Sequence, residues 1–229
     1  MTLSIAGHTF LPTYLRATSV VVDLGANSGE FSLGVANRFG CQVHALEPVP
    51  QLSSRIPHAE RGAVQIHSMA VHSTSGWFDF CISGNPYASS FPSVGHVPTA
   101  REVIQVRAIT LEEFFLSQRI ESIDLLKMDI EGAELDVLDV ISDSTLLRIK
   151  QMAVEFHQFR FPSTALRVAT VKRRLRNLGF WDIDFSRING DVLFVNSALS
   201  LGLADRSRIV WDKYRRGLVR RVRRLGALS

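Results

Sequence analysis

The chain has 229 residues, 46% of them hydrophobic, and only two cysteines, Cys41 and Cys81. These figures exclude a disordered chain, a disulfide-stapled scaffold and a cysteine-ligated zinc module, and they suit one sizeable core in a reducing compartment. Residues 205–229 hold nine basic and two acidic side chains, so this segment is +7 within a total of +4 and leaves residues 1–204 at −3; a nucleic-acid reading of the global charge would mistake its distribution.

No run approaches the ~18 apolar residues of a membrane span. The first eleven residues lack the basic-then-apolar order of a secretory signal, so a cytoplasmic protein is expected. Ser19 to Asp23 is a β-branched run ending near Gly25, the pattern of a strand buried on both faces. A helix is predicted over Ser28 to Phe39 with Gly40 as its C-terminal glycine. Gln42 to Glu47 reads as a second strand stopped by Pro48 and Pro50, and Val64 to Met69 as a third. Trp77 to Ile82 and Val103 to Arg107 look extended around a loop, Gly84 to Ala100, whose Tyr87, Ser89, Ser90, Phe91 and His96 suit a substrate cover. Thr110 and Glu113 match a capping box for a helix through Gln118. Ile123 to Met128 is the fourth parallel strand, Glu131 to Ile141 its helix, and Lys150 to Phe156 a fifth strand. Val168, Val171, Leu175 and Leu178 share one helical face ending at Gly179. Phe180 to Phe185 and Val192 to Asn196 flank Asn189-Gly190, a strong hairpin signal. This alternation predicts an α/β, doubly wound, mostly parallel sheet finished by an antiparallel hairpin, with a domain over 1–200 and a tail over 201–229.

Two constellations carry chemistry. Asp23-Leu-Gly25-Ala26-Asn27-Ser-Gly29 lies between the first strand and the first helix, where glycines allow a tight turn and the helix N-terminus offers free N–H groups. It is neither the dinucleotide fingerprint nor a P-loop. An acid at Asp23 facing the ligand would repel a pyrophosphate and suit a cationic amino-acid ligand. Glu47 ends the second strand, where a carboxylate accepts both ribose hydroxyls. Together they point to S-adenosylmethionine. The second constellation, Lys127-Met-Asp129-Ile-Glu131-Gly132-Ala-Glu134, puts charges at a strand's C-terminal end, where ligands bind in open α/β sheets; Asp129 reads as functional, and Glu131 and Glu134 also favour the helix dipole.

These stretches, with Glu47-Pro48 and Val154-Glu155-Phe-His157, resemble the FkbM family of S-adenosylmethionine-dependent methyltransferases from about Val20 to His157. The resemblance implies the class I methyltransferase fold, a seven-stranded Rossmann-like sheet, and O-methylation of sugar, glycan, glycolipid or natural-product hydroxyls. It implies that Gly25, Ala26, Asn27 and Gly29 shape the methionine pocket, that Glu47 and Pro48 border the ribose, and that Ala70 lines the adenine. The helix usual before the first strand is reduced to about Pro12 to Ala17. His157 is the expected general base, with its near-neutral ordinary pKa, oriented by Glu155 and placed beside Asp129. No metal is assigned, although Asp129, Glu131, Glu155 and His157 are of types that bind a divalent ion. The alternatives are a non-catalytic adenosyl-ligand-binding or scaffold protein of the same fold, and a nicotinamide oxidoreductase, which the absent fingerprint disfavours.

In the tail, Trp211, Tyr214, Leu218, Val222 and Leu225 form one stripe, with Arg216, Arg220, Arg223 and Arg224 opposite. Such a helix can lie on the inner face of an anionic membrane, or pack on the acidic body or a protein partner. No nucleic-acid partner is expected, and the acceptor is expected to be a small molecule or glycan.

Overall fold

The structure, a computed structural model, describes residues 1–83, 89–92, 100–186 and 188–226, with the backbone alone at 100, 101, 216 and 218–226. The chain opens with a hairpin that the sequence reading passed over. It pairs β1 (Leu3–Ile5) with β2 (His8–Phe10) through Ala6 and Gly7, both at positive φ. The short helix expected over Pro12 to Ala17 is a single 3-10 turn at Pro12–Tyr14.

Then follow β3 (Val20–Leu24), α1 (Glu30–Phe39), β4 (Gln42–Leu46), α2 (Pro50–Ser53) and β5 (Ala63–His67). Gly40 closes α1 in the left-handed conformation, with its N–H on the Ala36 carbonyl, as predicted. The two extended segments after β5 become β7 (Gly76–Ser83) and β8 (Ala100–Ile109), an antiparallel pair that β6 (Ala70–Val71) extends on the β8 side. They form a separate three-stranded sheet. Between them, Tyr87 and His96 lie outside the described residues.

Thr110 caps α3 (Leu111–Ser117) by accepting the Glu113 N–H, but the reciprocal bond of a capping box is absent. Ser75 bridges instead: its hydroxyl accepts the Thr110 N–H at 3.0 Å and donates to Glu113 at 2.8 Å. The rest of the chain gives β9 (Leu125–Met128), α4 (Glu134–Val140), α5 (Asp143–Leu146), β10 (Gln151–Val154), α6 (Ala165–Asn177), β11 (Phe180–Asp184), β12 (Val192–Asn196) and α7 (Leu203–Gly226). Helix α4 starts three residues later than predicted because Glu131 and Gly132 both take positive φ and form a turn. The β11–β12 hairpin exists, but Asn189-Gly190 is not a two-residue turn. Asp184 organises a longer loop by accepting the Ser186 and Asn189 N–H groups.

The main sheet has the order β11-β12-β10-β9-β3-β4-β5, parallel except where β12 pairs with β10 and β11. This is the class I methyltransferase arrangement. Alternation along the buried strands divides the core. Val22, Leu24, Leu126, Met128 and Val154 pack with α3, α4 and α6 on one face. Val21, Val43, Leu125 and Ala153 pack with α1 and the N-terminal hairpin on the other. Such strands, apolar on both sides, are what a covered parallel sheet requires. The sheet's C-terminal edge, from β4 to β10, is left for polar groups.

Candidate active site

A cavity of about 450 Å³ opens at that edge, a size in the range that holds small-molecule ligands. Its floor is the turn after β3. Gly25 and Ala26 both donate their N–H groups to the Leu46 carbonyl at 3.0 Å, which folds the turn over the end of β4. Gly25 is required twice over: its φ is +78°, and a Cβ there would stand 2.0 Å from the Asp129 carbonyl oxygen. Asn27 also takes positive φ, which asparagine tolerates better than most residues. Ala26 and Asn27 line the cavity, whereas Gly29 lies behind it, against Ile56.

Glu47, Pro48 and Ala70 form the next wall. The Glu47 carboxylate accepts the Asn27 N–H at 2.8 Å and the Val49 N–H at 2.9 Å. Burial raises its pKa and these two backbone donors oppose the rise. Each of its oxygens keeps acceptor capacity for a hydroxyl. Ala70, Val71, Phe80 and Phe91 supply an apolar wall from the second sheet and the loop beside it.

Asp23 does not face the cavity, contrary to expectation. Its side chain is wholly buried, accepts the Ser32 hydroxyl at 2.7 Å and lies 3.0 Å from the Lys127 ammonium. Lys127 also donates to the Leu24 and Gly25 carbonyls, at 3.2 and 2.6 Å, and reaches Asp129 at 3.8 Å. Burial works against its charge, but Asp23 and Asp129 outweigh burial and raise its pKa. Asp23 and Lys127 therefore clamp the turn from beneath, and Asp23 acts on the cavity from behind its lining, through Lys127 and by adding to the raised pKa of Glu47.

At the far wall, Asp129, Glu131, Glu155 and His157 meet as the sequence order suggested, but with different partners. His157 Nδ1 is 3.1 Å from Glu134, not Glu155, and its Nε2 is 3.3 Å from Glu131 and 3.6 Å from Asp129. Burial opposes protonation of the imidazole, yet bonds from Glu131 and Glu134 prevail and raise its pKa to about 11. With both ring nitrogens set against carboxylates and its pKa raised, His157 favours the imidazolium, which argues against the general-base role expected of it. Glu134, buried at the start of α4, also accepts the Ile130 and Gly132 N–H groups. Glu131 pairs with Arg160 at the cavity rim. Asp129 is held well below the usual carboxylate range: its burial is overcome by Lys127, His8 and His157.

Sequence reasoning missed His8. It comes from the N-terminal hairpin, is buried, lines the cavity and approaches Asp129 at 3.4 Å. The one available sign was Ala6-Gly7 between short runs, far weaker than Asn-Gly. The Glu155 backbone N–H donates to the Met128 carbonyl at 3.0 Å, whereas its carboxylate makes no hydrogen bond among the described residues. Burial, then Asp129, raises its pKa. His8, Asp129 and Glu155 each offer one donor atom within 4.8 Å of the others, a spacing that could hold a divalent cation, whereas His157 in the neighbouring group has no free lone pair when protonated.

The parallel sheet with its antiparallel end strands, the glycine turn after β3 and the acid at the end of β4 define a class I methyltransferase domain. The chain belongs to the Methyltransferase FkbM domain family, whose match spans residues 23–180. It is 27% identical over 204 residues to the AMB antimetabolite synthetase AmbE of Pseudomonas aeruginosa, covering 72% of this chain but only 10% of AmbE. It is also 27% identical over 183 residues to the 31-O-demethyl-FK506 methyltransferase FkbM of Streptomyces tacrolimicus, covering 62% of this chain and 67% of that protein. Among solved structures, the magnesium protoporphyrin IX methyltransferase ChlM of Synechocystis PCC 6803 with bound SAH superposes with a TM-score of 0.39 at 10% identity, over 79% of this chain and 74% of that one.

Proposed function

We propose that this chain is an S-adenosylmethionine-dependent O-methyltransferase acting on a hydroxyl of a sugar, glycan, glycolipid or related natural-product acceptor. The observation that carries the reading is Glu155: a cavity-facing carboxylate with no hydrogen bond among the described residues and with raised proton affinity, on the wall formed by β9 and β10. The donor set fits the cofactor. Glu30, Glu47, Asp129, Glu131 and Glu155 outnumber Lys127, Arg160 and the charged His157 around the cavity, which favours a ligand bearing ammonium and sulfonium charges.

S-adenosylmethionine would supply an electrophilic methyl group. Glu47 would hold its ribose, the turn at Gly25, Ala26 and Asn27 its methionine part, and Ala70 its adenine. Glu155 takes the proton of the acceptor hydroxyl. Asp129, kept ionised by Lys127, His8 and His157, repels negative charge on Glu155 and so raises its basicity. His157 holds Glu131 and Glu134 in place as a fixed cation.

Calorimetry with S-adenosylmethionine, its demethylated product and NAD tests the cofactor, and a screen of hydroxylated acceptors with labelled methyl donor tests the reaction. Both adenosyl ligands are expected to bind and NAD is not; binding of NAD alone would overturn the reading. Glu155→Gln is expected to lower kcat by about 10²–10⁴ while cofactor affinity holds. Unchanged turnover would remove Glu155 as the base.

A further inference from the structure

Helix α7 shows a division that neither the fold nor the proposed chemistry uses. One face is docked: Ile209 is buried beside Ile183, Leu193 and Val195. Asp212 is buried too, and accepts the Thr2 N–H at 2.8 Å, which ties the helix to the N-terminal hairpin. Arg206 lies over the Trp181 ring. On the other side, Trp211 is 70% exposed and Tyr214 66% exposed. The sequence continues their row at Leu218, Val222 and Leu225 with the same spacing of three or four, along a helical backbone that runs to Gly226.

Charge flanks this row: Arg208 and Arg215 are exposed beside it, and Arg216, Arg220, Arg223 and Arg224 fall opposite it in the sequence pattern. Nine basic groups face two acids over 205–229, and both acids are engaged, Asp205 with Arg208 and Asp212 with Thr2 and Arg215. Two copies packed through this segment would bring +7 against +7. A nucleic acid would need the cations but would leave Trp211, Tyr214 and their row unused. An anionic bilayer surface uses both, taking the apolar row among its headgroups and the exposed Arg208 and Arg215 beside it at its phosphates. No helix among the described residues is long and apolar enough to cross a membrane, so the mode is adsorption. We propose that the free face of α7 docks on an anionic phospholipid surface, with the domain held on the opposite side through Ile209 and Asp212. The proposal stands independently of the methyltransferase reading.

The test is flotation of the full chain with vesicles of phosphatidylcholine alone or mixed with phosphatidylglycerol, at low and high salt. Recovery with the anionic vesicles is expected to exceed that with phosphatidylcholine by about tenfold or more, and to fall with salt. Trp211→Ser combined with Tyr214→Ser should weaken partitioning by about tenfold while the thermal midpoint stays unchanged, because both side chains are exposed. Arg208→Ser, which leaves the apolar row intact, should weaken it by about fivefold. Equal recovery with the two vesicle types would overturn the proposal. So would wild-type flotation by the double variant, removal of the chain from vesicles by duplex DNA that binds the double variant equally well, or a self-association in sedimentation that the double variant abolishes.

Discussion

Two buried histidine sites in this molecule have opposite electrostatics. His44 on β4 and His67 on β5 stack at 5.3 Å, share a contact of 3.1 Å between Nδ1 and Nε2, and set their rings nearly perpendicular to Phe114. Burial, then the neighbouring imidazole, lowers His44 to about 4, and burial lowers His67. His157 is buried to a similar degree but raised to about 11, because Glu131, Glu134 and Asp129 surround it. Burial alone therefore does not fix the charge of a histidine. The carboxylates do, and they gather where the sheet's C-terminal edge leaves space for a ligand.

That contrast is sharpened first at Lys127. Lys127→Met strips the wholly buried Asp23 of its cation, and an uncompensated buried charge should cost about 3–5 kcal/mol, read by denaturant unfolding. A loss below about 1 kcal/mol would break the claim that the pair clamps the turn. His157→Leu follows, at about 2–4 kcal/mol near neutral pH, since Glu131 and Glu134 lose a charged donor. The sign fixes its pH window. With the folded pKa above the ordinary 6.5, the wild-type contribution is full below about 6.5 and drains as pH rises towards about 11. The variant should lack that alkaline decline, and retention of it would assign the decline elsewhere.

The smallest effect belongs to the neutral pair. Replacing both partners, His44→Leu with His67→Leu, should cost less than about 1 kcal/mol at neutral pH, because no unsatisfied polar group is left behind. Here the sign is reversed. The unfolded chain takes up protons that the folded pair refuses, so wild-type stability falls as pH drops from about 6.5 towards about 4, and the double variant should flatten that limb. Acid titrations of unfolding free energy that coincide for the two proteins would contradict a neutral pair.

Much of this was legible in the sequence because it is local. The runs Ser19 to Asp23 and Ile123 to Met128 announced the central strands, found at Val20–Leu24 and Leu125–Met128, and Gly25, Asn27 and Glu47 announced the turn and strand end that shape the cavity. The charged run from Lys127 to Glu134 marked the right edge. What remained hidden depends on distance along the chain. His8 reaches Asp129 from a three-residue strand whose Ala6-Gly7 turn has little signature. The pairing of His157 with Glu134 follows from the turn at Glu131 and Gly132, which delays α4 and aims the Glu134 carboxylate back at the strand ends. Asp23 shows the limit most plainly: a carboxylate at a strand end can face the ligand or the core, and Lys127, more than a hundred residues later, draws it to the core.

The central claim, that the carboxylate-lined edge holds His157 as a cation and leaves proton abstraction to Glu155, is most directly tested by an NMR titration of the histidine ring nitrogens. The account predicts that His157 keeps both ring protons to about pH 9 or beyond, while His44 stays neutral down to about pH 5. A His157 that titrates near the ordinary value of about 6.5 would contradict it and restore the imidazole as the base.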